Sequence, residues 1–192
     1  MYRVVYNTCY GGFSISLKCY LWLKENGLLT DSEIEGCEMW IKHRVEIHTP
    51  EKYHILVNSK NKFVEWVTKA RIDYYGGAEN LYNSILKDDY YYRNRVEGET
   101  PETLKLIEFT YDNVIKYRDE FNQIFGFYIF NEKRHDKRLL QAIDALGLEE
   151  CSGDCAELAI AEIHTKRYKI KEYDGMESVS TFDDDNYYCI DD

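Results

Sequence analysis

The chain has only two prolines, no apolar run approaching the roughly 20 residues that a membrane-crossing helix requires, and fewer cations than anions. In 192 residues, 24 Lys and Arg stand against 35 Asp and Glu, a formal net charge of −11. That balance repels a phosphate backbone, so nucleic acid is not the expected partner, and the missing apolar run argues against a membrane. The first residues, Met1-Tyr2-Arg3-Val4-Val5-Tyr6, lack the apolar stretch of a secretory signal, which leads to the expectation of a cytoplasmic or nuclear protein. Ligand pairs are also scarce. Of the six cysteines (Cys9, Cys19, Cys37, Cys151, Cys155 and Cys189), only Cys151 and Cys155 are close, with Ser-Gly-Asp between them. A zinc site needs four ligands in two such pairs, so the cysteines read as reduced thiols used as small hydrophobes, with neither metal nor cofactor expected.

What is present is 44% hydrophobic and 31% charged residues with 18 Tyr, the composition of a folded chain of one domain spanning 1–192. Residues 2–8 mix β-branched and aromatic side chains and predict a strand. Leu17, Tyr20, Leu21 and Leu23 recur at helical spacing after a Ser14 or Ser16 cap, with Gly27 as the stop. A second helix is expected over 31–42, followed by an extended piece at 45–48. The middle reads as helical: Phe63, Trp66, Val67, Ala70 and Tyr74 form a stripe over 61–75, and a shorter helix runs from 78 to about 90. Thr100-Pro101 opens a long helix reaching about 124. Toward the end, Asp136 caps a helix that Gly147 stops. Residues 157–163, 167–173 and 177–182 alternate as strands, and Asp174-Gly175 is a tight turn between the last two. The predicted architecture is α+β. A small mixed or antiparallel sheet forms from the N-terminal strand and the C-terminal hairpin strands, with a large helical insertion at 49–126 and an acidic tail at 183–192.

Four features invite a chemical reading. The junction Asn7-Thr8-Cys9-Tyr10-Gly11-Gly12-Phe13-Ser14 leads from a strand toward a helix, where backbone N–H groups can hold an anion. Asn7, Thr8, Gly11, Gly12 and Ser14 are therefore candidate ligand-binding residues for a nucleotide-like anion. The lysine of a phosphate-binding loop is missing, and the two glycines equally suit a tight turn. Cys9 is a candidate nucleophile, with His135 or His164 as its base, although no cysteine-enzyme signature surrounds it. Glu172, Asp174 and Glu177 group carboxylates around a turn, so Glu177 joins Cys9 and His164 as a catalytic candidate, while a solvated hairpin explains the same residues. Tyr90-Tyr91-Tyr92 with Arg93 and Arg95 suits a protein contact better than base stacking on so acidic a chain. The run Asp183-Asp184-Asp185 has no calcium-loop spacing and reads as a solvated tail.

The decapeptide Asn7-Thr8-Cys9-Tyr10-Gly11-Gly12-Phe13-Ser14-Ile15-Ser16 resembles the opening of a small protein family of bacteriophages and amoebal giant viruses. Arg134-His135-Asp136 with Leu139-Leu140, Leu158 to Ile163, and Tyr168 to Glu177 resemble later parts of that family. The likeness covers the two ends of the chain and not its middle. It implies a viral origin and supplies no catalytic residues. The combined expectation is a non-enzymatic viral protein that binds a protein partner, from the host or within the virion, with a homo-oligomer among the candidates. The alternatives are an anion-binding protein using the Asn7–Ser16 loop, or a Cys9-dependent enzyme.

Overall fold

Strand β1 (Tyr2–Asn7) pairs antiparallel with β5 (Leu158–Ile163), from Tyr2 opposite Ile163 to Asn7 opposite Leu158, in the computed structural model of the protein. The structure describes residues 1–60, 62–87, 96–181 and 188–190, so the Tyr90-Tyr91-Tyr92 cluster with Arg93 and Arg95, and the acidic run 183–185, lie outside the described residues. The chain divides into two compact units: Met1–Ile34 together with Asn122–Asp192, and Glu35–Phe121.

In the first unit, helix α1 (Leu17–Glu25) starts at Ser16, whose Oγ accepts from Cys19 N, and its buried face carries Leu17, Tyr20 and Leu23. An Asp-capped helix, α7 (Lys137–Leu146), begins where Asp136 accepts from Arg138 N, buries Leu139, Ala142 and Ile143, and ends before Gly147 at φ +90°. The hairpin β6 (Arg167–Tyr173) and β7 (Met176–Ser180) turns through Asp174 and Gly175, both at positive φ, as an Asp-Gly turn requires. These hairpin strands form their own antiparallel sheet with β8 (Tyr188–Cys189) in the order β7-β6-β8. They do not extend the β1–β5 pair, because β1 gives its other edge to different acceptors: Val5 N donates to Arg134 O and Asn7 N to the Glu177 carboxylate.

The second unit departs from the all-helical middle that the periodicity suggested. Strands β2 (Tyr53–Val57), β3 (Phe63–Thr68) and β4 (Lys105–Glu108) form an antiparallel sheet in the order β3-β2-β4. The 61–75 stripe is β3 followed by the short helix α3 (Lys69–Tyr74), capped by Thr68. Phe63, Val64, Trp66, Val67 and Thr68 are strong strand formers, and a short stretch with four apolar residues in six fits either period until a pairing edge decides it. The long helix expected from Pro101 is a turn, then β4 with Ile107 opposite Ile55, then a new helix after the Thr110 cap, α5 (Tyr111–Lys116) and α6 (Arg118–Phe121). Helix α2 (Asp31–His48) in turn absorbs the extended piece expected at 45–48.

Both faces of this sheet are covered. Leu56, Val64 and Val67 pack with Leu81 and Ile85 of α4 (Ala78–Lys87). On the other face, Trp66 stacks on His48 at 5.1 Å and meets Phe109 edge-on at 5.0 Å. Among the described residues no helix is long and apolar enough to cross a membrane.

Candidate functional site

The Asn7–Ser16 segment leaves the end of β1 and crosses three other stretches of its unit before entering α1. Asn7 is fully buried, and its amide is held by the protein. Nδ2 donates to Cys9 O at 2.6 Å and to Gly175 O at 2.8 Å, while Oδ1 accepts from Glu157 N at 2.8 Å and lies 3.3 Å from Cys9 Sγ. Both amide donors are therefore taken, and the oxygen already accepts one N–H. Thr8 donates from its hydroxyl to Glu157 O, and buried Ser14 donates to Asp154 O. At the N-terminus of α1, Lys18 N donates to Asn122 Oδ1 and Cys19 N to Ser16 Oγ. These side-chain and helix-terminal donors therefore already have protein acceptors.

The glycines explain how the loop comes this close to its neighbours. A Cβ at Gly11 would overlap the Cys155 carbonyl. At Gly175, which sits at φ +84°, a Cβ would collide with Tyr10 O and stand 2.7 Å from Gly12 N. Gly126 and Gly153 leave room for Ser14 in the same way. Gly12, at φ +79°, supplies the turn itself. Gly11 and Gly12 thus belong to a backbone-on-backbone junction between this loop, residues 153–155 and the hairpin turn.

Glu177 lies beneath that junction. Its side chain is 3% exposed and is held by Arg134 in a two-pronged pair, Nη2 to Oε1 at 2.7 Å and Nη1 to Oε2 at 2.8 Å. Arg134 also donates to Asn131 through Nε and Nη2, and its guanidinium lies 3.5 Å from the centroid of the Phe13 ring. With Asn7 N as a further donor, the carboxylate is fully engaged. The alternation expected to leave the hairpin carboxylates in solvent holds for Glu172 and Asp174, which are exposed, and fails for Glu177. Val179, two residues on and on the same face, carried the signal for an inward phase. Arg134, which nothing in the sequence singled out as a partner for Glu177, completes the pair.

The cysteine candidates are dispersed. Cys9 Sγ lies 2.7 Å from Cys155 O, so its one S–H is directed at a backbone carbonyl. His164 follows the opposite end of β5. Leu158 pairs with Asn7 beside Cys9, whereas Ile163 pairs with Tyr2, about 17 Å away at strand rise, so His164 is no base for Cys9. His135 Nδ1 lies 2.7 Å from the buried Tyr168 hydroxyl. The Asp154 carboxylate, helped by burial, pushes the exposed Cys155 thiol above its ordinary range, which disfavours the thiolate. Cys19 is pushed well up by its hydrogen bond with Cys151 and by burial. The trio Cys9, His164 and Glu177 is not assembled.

No family model matches the chain, and no curated protein or solved structure matches it.

Two residues that sequence reasoning passed over stand out on the outer side of the same junction. Tyr10 is 66% exposed at the loop tip, and Tyr173 is 81% exposed at the start of the hairpin turn, opposite Met176. Exposed Lys171 shares the strand face of Tyr173, Glu172 points to the other face, and exposed Asp174 follows in the turn. The arrangement presents two large exposed rings on adjoining turns.

Proposed function

We propose that this is a non-enzymatic binding protein that recognises another protein through the surface around Tyr10 and Tyr173, with a viral origin suggested by the Asn7–Ser16 resemblance and a partner from the host or the virion. The observation that supports this reading is the pairing of two exposed tyrosines on turns whose backbones touch. Gly175 abuts Tyr10 O, so the two turns that carry the rings are in backbone contact. Tyrosine gives large contact area at low side-chain entropy cost, which is why it is enriched where proteins meet. The exposed ring faces also suit the cation of a Lys or Arg side chain on the partner. The engaged state of Asn7, Thr8, Ser14 and Glu177 weighs against the anion-binding and enzymatic alternatives.

The test is affinity capture from infected-cell and virion material with the wild type and the Tyr10→Ala/Tyr173→Ala variant. Both side chains are exposed, so the variant is expected to fold with unchanged thermal stability and to lose its captured partner. Retention of every partner by the double variant would overturn the assignment of this surface. Thermal stabilisation by nucleotides that disappears in Gly12→Val would instead favour the anion-binding reading.

A further inference from the structure

Two cysteines from opposite ends of the chain meet in the core of the first unit. Cys19 lies in the first turn of α1, and Cys151 ends the short helix α8 (Leu148–Cys151). Both are fully buried, and their side chains hydrogen-bond to each other. Cys9 and Cys155, by contrast, direct their thiols at oxygen, the first at Cys155 O and the second at Asp154 Oδ1.

Groups other than the thiols set this meeting. Ser16 bonds to both segments: its N donates to Cys151 O at 2.9 Å, and its Oγ accepts from Cys19 N at 3.1 Å while donating to Glu150 O. Lys18 and Glu150 add an ion pair at 2.9 Å between the same two helices. The sulfurs are thus held together by a backbone that does not depend on them. A thiol is a weak donor and a sulfur a weak acceptor, so the contact contributes little as a hydrogen bond. Its distinctive asset is proximity, since a disulfide forms only where two backbones already bring the sulfurs close enough to shut to about 2 Å.

The place of the pair in the chain gives a bond there a large effect. About 130 residues separate Cys19 from Cys151, and the whole Glu35–Phe121 unit lies within that interval. A cross-link would join the N-terminal segment of the first unit to its C-terminal one. Closing so long a loop strongly restricts the unfolded chain.

We infer that Cys19 and Cys151 form a disulfide when the chain folds in the presence of a small-molecule disulfide. One cysteine thiolate attacks that reagent, giving a mixed disulfide and releasing one small thiol. The other cysteine attacks the protein sulfur of the mixed disulfide and displaces the second small thiol. The protein gives up two electrons and two protons, and the reagent leaves as two thiols. The exchange belongs to folding rather than to the finished core. In the folded protein the bond with Cys151 and burial push the Cys19 thiol well up, which leaves little thiolate to react. Burial then shields the finished disulfide from dissolved thiols in the same way.

The test is refolding of the full chain from urea in glutathione buffer or in dithiothreitol, followed by alkylation, non-reducing peptide mapping and thermal unfolding. Oxidative refolding is expected to yield a linked Cys19–Cys151 peptide and to raise Tm by roughly 10 °C over the reduced protein. Cys9→Ser/Cys155→Ser is expected to keep both the link and the gain, and Cys151→Ala to lose both. Each variant is read against its own reduced form, so a packing loss in Cys151→Ala does not mimic the result. A wild type in which Cys19 and Cys151 are both alkylated after oxidative refolding overturns the proposal. So does a gain in Tm that follows a Cys9–Cys155 link, or a Cys19–Cys151 link that leaves Tm unchanged. None of these outcomes bears on the Tyr10–Tyr173 surface, which partner capture tests.

Discussion

The two units handle buried polarity differently. The unit built from the two ends of the chain buries Asn7, Ser14, Ser16, Asn122, Arg134 and Glu177, whereas the Glu35–Phe121 unit buries Glu65 and Glu120. The two acids of the second unit each reach a cation that solvent also touches, Arg71 and Lys105. The Arg134–Glu177 pair, at 5% and 3% exposure, has no such access. Its second-unit counterpart as an organising centre is apolar: Leu56 against α4 on one face of the sheet and Trp66 among His48, Tyr53 and Phe109 on the other. A centre made of satisfied polar groups and glycine contacts tolerates one geometry, because every displaced donor leaves an unpaired group behind. An apolar centre tolerates side chains of similar volume. The first unit is thus suited to holding Tyr10 and Tyr173 in fixed positions.

The comparison breaks most sharply at Gly175. Valine there combines a collision with the Tyr10 backbone and a positive φ, together costing about 4 kcal/mol or more. Hydrogen exchange read peptide by peptide should show β1, β5 and the β6–β7 hairpin losing protection while β2 and β3 keep theirs. Equal loss in both units would mean that they unfold as one. The next largest effect is expected at Glu177. Glu177→Gln leaves the Arg134 cation buried and poorly paired, a loss of roughly 3–5 kcal/mol in urea unfolding. Arg134→Met combined with Glu177→Leu removes both charges and should recover about 2 kcal/mol of that loss, Asn7 N remaining without its acceptor. If the double variant is no better than the single, the pair contributes through packing on Phe13 rather than through charge.

The same contrast explains what the sequence disclosed. Features set by neighbouring residues were legible: the β1 strand, the Ser16 and Asp136 caps, the Asp174-Gly175 turn and the α+β class all follow from local chemistry. The sheet of the middle region was not, because Phe63 to Thr68 acquires its period only when Tyr53–Val57 offers an edge, and Lys105–Glu108 pairs with that same strand from nearly fifty residues away. At the candidate site, Asn7, Gly11, Gly12 and Glu177 stood out by residue type, but the protein groups they meet were not legible. A glycine turn with neighbouring Asn, Thr and Ser looks alike whether its donors face a ligand or face Glu157 O, Asp154 O and Gly175 O. Those acceptors lie some 140 to 170 residues away in the chain, as does the Glu177 carboxylate that receives Asn7 N.

The smallest expected effect belongs to the apolar centre of the second unit and concerns pH. His48 is held below its ordinary pKa of 6.5, first by burial and then by the Arg44 charge, with Glu51 opposing. It packs edge-on to Tyr53 at 4.8 Å and to Phe109 at 5.5 Å, besides stacking on Trp66, so a proton there must enter an aromatic cluster. Between the lowered folded value and 6.5 the unfolded chain binds the proton more readily than the folded one, so stability rises with pH across that interval. The contribution is complete above about 6.5 and is lost as pH falls through the folded value. Thermal unfolding between pH 7.5 and 5.5 should therefore show Tm falling toward the acid end by less than either loss predicted for Gly175 and Glu177. His48→Phe, which keeps a ring against Trp66 and cannot take a proton, should flatten that slope. An unchanged slope in His48→Phe would place the titrating group elsewhere and leave the aromatic cluster indifferent to charge.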